Sequence, residues 1–145
     1  MNDEKMAELF RSVCSQCGIK RTMQRYAVFE AVYGNHSHPT VDDIYRAARK
    51  KIPMIKSESV YRILSDFHKA GIVEQVGVPG IMRYEYKGDP HGHFACVKCG
   101  KIIDIKNFSF EPSKELEGVV GISFTLNGLC PACAKDRQGA KRSPF

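Results

Sequence analysis

Six cysteines, all of them in C-x-x-C pairs, limit most strongly how this chain of 145 residues can fold. A C-x-x-C turn places two sulfur atoms on one side of a tight loop, so two such turns can complete a tetrahedral thiolate shell around zinc. Residues 100–129, between the second pair and the third, leave room for a strand, a helix and a strand. The sequence therefore predicts a structural zinc site made of Cys96, Cys99, Cys130 and Cys133.

Two disulfides are the alternative use of these four cysteines. Disulfides are rare in reducing cytosol, and the acidic residues 1–4 do not resemble a secretory signal peptide. The chain also has no apolar run of about 18 residues, the length that a membrane span requires. We therefore expect a cytoplasmic protein with no membrane partner, in which the thiolates hold zinc.

The first C-x-x-C pair lies on a helical stripe that ends at Gly18. Apolar side chains and the two sulfur atoms recur at helical spacing, at Met6, Leu9, Phe10, Val13, Cys14 and Cys17. Core packing is the simpler account of Cys14 and Cys17. A redox pair and an extra metal site are the alternatives.

Three further helices and a hairpin are predicted before residue 87. Capping residues start the helices at Thr22, at Thr40 and at Ser57 or Ser59. Strand-like residues 72–76 and 81–86 flank the turn signal Pro79-Gly80. Helices followed by a β-hairpin are the order of a winged helix-turn-helix domain.

The second half of the chain predicts a small mixed domain. Residues 88–90 are the best linker candidate, and strands are predicted over residues 93–96, 101–106 and 122–126, with a helix over residues 114–120. The expected fold is α+β. It has an N-terminal winged helix-turn-helix domain over residues 1–86, a hinge over 87–90 and a small α/β domain over 91–145 held together by zinc.

Polar residues near the start of the fourth helix predict a surface that reads DNA. The net charge of +6 permits a nucleic acid partner but does not locate it. Ser59, Tyr61 and Arg62 lie off the apolar stripe, near the helix end that meets base edges in helix-turn-helix proteins. Arginine can bind guanine through two hydrogen bonds, and tyrosine can contact a thymine methyl group or a phosphate. An ordinary exposed Tyr-Arg pair is the alternative.

Histidines and carboxylates predict a second metal site that contains no thiolate. Alternate residues of an extended segment point the same way, so His91 and His93 can aim at one ion. Asp104, on the face of its strand opposite the neighbouring isoleucines, could join them, and Glu85 ends the hairpin strand before the linker. Imidazole with carboxylate suits Fe(II), Mn(II) or Zn(II). Solvated surface histidines are the alternative.

Taken together and in order, these motifs resemble the ferric uptake regulator (Fur) family of bacterial metal-dependent repressors. The matching segments read GIKRTMQR (residues 18–25), HPTVDDIY (38–45), SVYRIL (59–64), AGIV (70–73) and HGHFACVKCGK (91–101), followed by the last cysteine pair. The resemblance implies a homodimer, formed through the C-terminal domain, that represses transcription by binding AT-rich inverted-repeat operator DNA.

The resemblance also implies roles for individual residues. A regulatory Fe(II) or Mn(II) ion, separate from the structural zinc, would be held between the domains by His38, Glu85, His91, His93 and Asp104. Base reading would fall to Tyr61 and Arg62 with Ser59 beside them, and Lys20 and Arg25 would lie near the DNA backbone or minor groove.

Two of these residues are typical of different branches of the family. Asp104 is similar to the peroxide-sensing members, whereas iron-responsive members more often carry Glu there; Glu85 points the other way. We favour the peroxide sensor, in which iron-dependent oxidation of His38 or His91 releases the metal and then the DNA. An iron-responsive repressor, or one that responds to zinc, manganese or nickel, is the alternative.

Proteins of other classes would need different features. A hydrolytic zinc enzyme keeps an open coordination position beside a base, but four cysteines would close the zinc shell, and the sequence has no H-E-x-x-H motif. We therefore expect no enzymatic activity. A thiol redox protein would use Cys14 and Cys17, and an interaction module held together by zinc would bind no DNA.

Overall fold

Four helices and a hairpin make up the first part of the chain, as predicted. The structure is a computed structural model and describes residues 1–88, 91–111, 113–119 and 122–136. The elements in this part are α1 (Asp3–Cys17), α2 (Met23–Tyr33), α3 (Val41–Lys51), α4 (Ser57–Lys69), β1 (Val73–Val78) and β2 (Ile81–Tyr86).

Local capping chemistry sets most of these helix ends. The Thr22 side chain accepts a hydrogen bond from the N–H of Arg25, and Gly18 ends α1 in the left-handed conformation at φ 67°. Thr40 and Asp43 form a reciprocal capping box at the start of α3. The expected serine cap of α4 is wrong, because Lys56 precedes the helix and makes no side-chain capping bond.

Aromatic packing holds the first group of helices together. The stripe predicted on α4, residues Val60, Ile63, Leu64 and Phe67, is buried. Phe29 of α2 lies at the centre of the cluster, with ring centroids 5.3 Å from Phe10 and 6.4 Å from Phe67. Such tilted and edge-on ring pairs stabilise a core beyond the area that they bury.

The stripe on α1 is confirmed only in part. Met6, Phe10 and Cys14 are buried, and Cys14 is 1% exposed. Cys17 is exposed, so its predicted packing in the core is wrong. The helical spacing was correct, but Cys17 lies at the last helical position, where α1 runs past the core.

A three-stranded sheet and a short helix are the elements of the second part within the residues that the structure describes. The strands are β3 (Gly92–Cys96), β4 (Ile102–Ile105) and β5 (Thr125–Gly128), and the helix is α5 (Pro131–Lys135). Strand β3 is central, antiparallel to β4 and parallel to β5. The predicted helix over residues 114–120 is wrong, since residues 114–119 form turns and no helix. Residue 120 lies outside the described residues.

Two compact units emerge from the backbone. The first unit comprises residues 1–75 and 82–88, and the second comprises residues 76–81 and 89–145. The predicted hinge covers residues 87–90, of which 89 and 90 lie outside the described residues, as do residues 137–145 of the predicted C-terminal domain. None of the helices in the described part of the chain has the length and apolar character needed to span a membrane.

The capping box of α3 yields a test of stability. Thr40→Ala and Asp43→Ala are each expected to lower the free energy of unfolding by about 1 kcal/mol at neutral pH. Hydrogen bonds from the Thr40 backbone and side chain lower the pKa of the Asp43 carboxyl in the folded state. Its contribution is therefore present above the ordinary Asp pKa of about 3.9 and is lost as the pH falls through the folded-state value.

Urea unfolding at several pH values measures this effect. The penalty of Asp43→Ala should shrink on acidification below about pH 4. Asp42→Ala is the matched control, because Asp42 is an exposed acid in the same helical turn. Equal penalties for the two aspartate variants at every pH would contradict a role for the capping box.

Candidate metal centres and recognition helix

The four cysteines predicted to bind zinc lie together in the second unit. The sulfur atoms of Cys96, Cys99, Cys130 and Cys133 all lie within 4.8 Å of one another. Cys96 ends β3, and Cys133 lies on α5 while Cys130 caps its start. The sheet and the short helix therefore bring two turns together that are far apart in sequence.

The spacing of the sulfur atoms fits zinc and not disulfides. Tetrahedral zinc with Zn–S bonds of about 2.3 Å requires sulfur atoms about 3.8 Å apart. The Cys99 and Cys130 sulfur atoms lie 3.8 Å apart. A disulfide would require about 2.05 Å, so the disulfide alternative is wrong for this arrangement.

Backbone hydrogen bonds shape the turn between Cys96 and Cys99. The N–H of Gly100 donates to the carbonyl of Cys96 at 2.9 Å, and Gly100 takes a left-handed conformation at φ 77°. The N–H of Cys96 donates to the carbonyl of Lys101 at 2.9 Å. Glycine adopts this conformation without steric cost, which allows the tight turn that follows Cys99.

The thiols in this cluster have strongly altered acidity. Burial opposes ionisation of Cys96, but hydrogen bonds from the backbone of Cys130, Cys99 and Lys98 outweigh it and lower the pKa of Cys96 to about 6. Hydrogen bonding to Cys130, together with burial, raises the pKa of Cys133 to about 12. Four adjacent thiols cannot all ionise without a cation, and a divalent metal such as zinc supplies the missing charge.

A second donor set lies on the sheet of the same unit. His93 and Asp104 are register partners across β3 and β4. The Oδ1 atom of Asp104 lies 3.7 Å from Nε2 of His91 and 3.7 Å from Nε2 of His93. The two imidazole centroids are 4.5 Å apart. His91, His93 and Asp104 therefore lie beside one another, as the alternation of side chains along an extended strand predicted.

A histidine–carboxylate pair lies in the first unit. The Nε2 atom of His38 lies 3.2 Å from Oε2 of Glu85, and both residues are buried. A buried imidazole beside a carboxylate is a donor pair that Fe(II), Mn(II) or Zn(II) accepts. The structure thus brings together residues 47 positions apart in sequence.

The backbone around His38 is strained and held in place. His38 has φ 56°, the one positive φ outside glycine among the described residues. Nη1 of Arg83 donates to the His38 carbonyl at 3.0 Å, and the Tyr84 N–H donates to the Pro39 carbonyl at 2.9 Å. Strained backbone of this kind costs about 1–3 kcal/mol and persists where surrounding contacts enforce it. Arg83 is a positioning residue that sequence reasoning missed, because no local motif links it to His38.

Three of the five residues predicted to contact DNA lie on α4, away from its buried stripe. Tyr61 is 58% exposed, Arg62 is exposed and Ser59 is half-buried. Lys20 is also exposed. Arg25 is different, because its Nη1 donates to the Lys20 carbonyl at 2.7 Å and its Nη2 lies 3.2 Å from Oδ2 of Asp66 on α4.

These features define a class of protein. Helices α2 to α4 followed by the β1–β2 hairpin form a winged helix-turn-helix, with exposed polar residues on its recognition helix. The cysteine cluster and the imidazole–carboxylate donors add metal-binding capacity. The chain is therefore a DNA-binding regulator of the winged-helix class that carries metal sites.

Comparison with known proteins identifies the family. The model of the ferric uptake regulator family matches residues 16–121. The peroxide-responsive repressor PerR of Staphylococcus aureus is 34% identical over 138 residues, which cover 87% of this chain and 91% of that protein. The peroxide operon regulator of Bacillus subtilis is 30% identical over 127 residues, with 83% and 88% covered. The chain belongs to the ferric uptake regulator family of metal-dependent transcriptional regulators.

Solved structures share the fold. The ferric uptake regulator of Helicobacter pylori superimposes with a TM-score of 0.69 at 23% identity, covering 100% of this chain and 97% of that one. The peroxide stress regulator of Campylobacter jejuni gives 0.59 at 25% identity, with 92% and 100% covered. The α+β fold expected from the sequence is confirmed.

Removal of one thiolate tests the zinc site. Cys96→Ser is expected to lose most of the bound zinc and to lower the midpoint of thermal unfolding, because metal binding supplies folding free energy in small domains. Zinc release should also increase on acidification, since protons compete for the thiolates. Zinc content by atomic spectroscopy and a thermal melt measure these effects.

Cys17→Ser is the matched control, because Cys17 is exposed and lies outside the cluster. It should retain zinc and the wild-type melting midpoint. A Cys96→Ser protein that keeps its full zinc content would contradict the assignment.

Proposed function

We propose that this protein is a homodimeric, metal-dependent repressor in the cytoplasm that binds inverted-repeat operator DNA and releases it when peroxide oxidises an Fe(II) site. The observation that carries this proposal is the position of Asp104, whose carboxylate lies 3.7 Å from both His91 and His93. Peroxide-responsive relatives of 30–34% identity support the same function.

The regulatory ion would take ligands from both units. His38 and Glu85 form a donor pair in the first unit, and His91, His93 and Asp104 form a donor set in the second. An ion bound by all five residues would fix the orientation of the two units. In a dimer, that orientation sets the separation of the recognition helices, which must match half-sites about 34 Å apart.

The metal can act only through its preference for the DNA-binding arrangement. To move the population from 1:99 to 99:1, this preference must reach about 5.5 kcal/mol. Several new bonds between the ion and its nitrogen and oxygen ligands can supply such a free energy. The same linkage implies that operator DNA strengthens metal binding.

Peroxide sensing would rest on the histidine ligands. Ferrous iron, when bound, would activate hydrogen peroxide beside the imidazoles. The ring of His38 or His91 would gain one oxygen atom while the peroxide is reduced to water. An oxidised imidazole is a poor ligand, so the two units would lose their common ion and the repressor would release DNA. Thiolates bound to zinc would be shielded, which would make them a less suitable trigger.

The recognition helix would supply sequence specificity. Arg62 carries the planar fork that binds guanine through two hydrogen bonds, and the ring of Tyr61 can contact a thymine methyl group. Lys20 is free to approach phosphate from the turn before α2. Arg25 would support this turn and α4 through its bonds to the Lys20 carbonyl and to Asp66.

An iron-responsive repressor is the second candidate function, and Glu85 favours it. Peroxide sensors typically carry Asp at this position, whereas Glu85 forms the buried pair with His38. In both functions, DNA binding depends on the regulatory metal. They differ in whether oxidation at the iron site releases the operator.

DNA binding in two metal forms separates the two functions. The Fe(II) and Mn(II) forms should both retard DNA of the protein's own promoter in a gel-shift assay, and the metal-stripped, zinc-retaining form should not. Hydrogen peroxide should abolish binding by the Fe(II) form alone, because manganese does not activate peroxide in this way. Mass spectrometry should then find one added oxygen atom on a peptide containing His38 or His91.

Asp104→Glu is the matched variant in this assay. It should retain iron-dependent DNA binding but lose sensitivity to peroxide. Persistence of wild-type binding after peroxide in both metal forms favours the iron-responsive repressor. Tight binding by the metal-stripped form would overturn both functions.

Substitution of Arg62 tests base reading. Arg62→Ala is expected to weaken specific DNA binding by about 1–3 kcal/mol and to relax sequence preference at one position. Arg62→Lys is the matched control, since it keeps the positive charge but loses the planar guanidinium group that forms two hydrogen bonds to one base. If Arg62→Lys binds with wild-type affinity and preference, Arg62 contacts phosphate and does not read a base. Fluorescence anisotropy with specific and scrambled duplexes measures both quantities.

A further inference from the structure

One C-x-x-C pair has no part in the metal sites described above. Cys14 is 1% exposed, and Cys17, three residues later, is exposed. Both lie in the last turn of α1, which ends at Gly18. A solvent-accessible thiol beside a buried thiol is the arrangement of an attacking and a resolving cysteine.

Helix geometry brings the two side chains near bonding distance. Residues three apart on a helix have Cβ atoms about 5–6 Å apart. A disulfide requires about 3.5–4.5 Å. Closing the Cys14–Cys17 bond would therefore tighten the last turn by about 1–2 Å. A helix end accommodates such a change more readily than a helix interior, because it has neighbours on one side only.

Hydrogen bonds connect the last turn of α1, and the segment that follows it, to the recognition helix α4. The N–H groups of Gly18 and Ile19 donate to the Cys14 carbonyl, the latter at 2.9 Å. Lys20 follows Ile19, and its carbonyl accepts a hydrogen bond from Nη1 of Arg25 at 2.7 Å. Nη2 of Arg25 lies 3.2 Å from Oδ2 of Asp66 on α4. A distortion at Cys14 thus acts on a segment that is bonded to α4.

The burial of Cys14 and the exposure of Cys17 give the two thiols different roles in the reaction. Burial raises the pKa of the Cys14 thiol, although the positive charges of Arg25 and Arg21 act in the opposite direction. Cys17 is the accessible thiol and would react first.

We propose that Cys14 and Cys17 form a redox-active dithiol that exchanges with low-molecular-weight disulfides, and that the resulting bond within α1 loosens residues 18–22 and weakens DNA binding. The effect on DNA rests on the proposed function, whereas the thiol chemistry does not. A bond closed under strain is readily reduced again, which makes the pair reversible.

The exchange proceeds in two balanced steps. The Cys17 thiolate attacks one sulfur atom of the small disulfide, so that an S–S bond forms to Cys17 and a small thiolate leaves. The Cys14 thiolate then attacks the Cys17 sulfur, forms the Cys14–Cys17 bond and releases the second small thiol. The two cysteines lose two electrons and two protons, and the small disulfide gains them.

Thiol chemistry on the zinc-loaded protein tests the site. The protein is equilibrated in buffers of reduced and oxidised glutathione, quenched with acid, alkylated and examined by mass spectrometry. We expect an internal bond that involves Cys14 and Cys17 alone, with zinc fully retained and complete reversal by dithiothreitol. Cys17→Ser should form no glutathione adduct and no internal bond. Cys14→Ala should stop at the Cys17 mixed disulfide.

Three results would overturn the proposal that Cys14 and Cys17 form a redox-active dithiol. They are unchanged thiols across all buffers, a wild-type protein that stops at the mixed disulfide, and oxidation that occurs only with loss of zinc. Cys17→Ser serves also as the check on folding, because it leaves the buried core residue Cys14 in place, whereas Cys14→Ala alters the core. Loss of the internal bond in both variants, with normal melting of Cys17→Ser, assigns the chemistry to the pair.

DNA binding by the Mn(II) form tests the consequence, because that form lacks iron-dependent oxidation. We expect the oxidised protein to bind its own promoter DNA about tenfold more weakly than the reduced protein, within the range of typical coupling between sites. Dithiothreitol should restore binding, and Cys17→Ser should be insensitive. Equal affinity of the oxidised and reduced forms would overturn the coupling to DNA. Failure of the reduced Mn(II) form to bind any DNA would instead refute the proposed function and leave the thiol result standing.

Discussion

The close approach of four cysteine sulfur atoms is the interaction on which the second unit depends. Among its described residues, this unit has three short strands and a five-residue helix, and their buried cluster consists of Cys96, Cys130 and Cys133 with the half-buried Phe94 and Leu129 beside them. So small a core cannot offset the conformational entropy of the chain by apolar burial alone. Zinc bound to the thiolates would supply the missing free energy and would fix the sheet that carries His93 and Asp104, with His91 directly before its central strand.

In the first unit, apolar burial and not metal binding is the main source of stability. Its core of aromatic and aliphatic side chains is large enough to fix α1 to α4 without a metal. The polar exception is the buried pair of His38 and Glu85, at a strained backbone held by Arg83. A rigid core can hold such strain. Because metal ligands need rigid support, a ligand pair for a regulatory ion is expected beside such a core.

Local chemistry explains which elements the sequence predicted well. Helix ends at Thr22, Thr40 and Gly18 follow from side-chain capping and glycine geometry, which act within a few residues. Helix α5 escaped prediction because five residues are too few to show a helical period. The misplaced helix over residues 114–120 and the exposure of Cys17 have a common cause, since a local pattern does not say where the core ends.

The sequence by itself determined the chemistry of this protein, because the spacing of cysteines, histidines and carboxylates limits which metals they can hold. It also determined the helix-hairpin order of the winged helix and the set of four cysteines that the fold brings together. Only the tertiary structure decided which distant residues meet, since the pairing of His38 with Glu85 and the support from Arg83 depend on the hairpin packing beside residues 38–39. Such contacts join positions some 45 residues apart, and no local interaction encodes them.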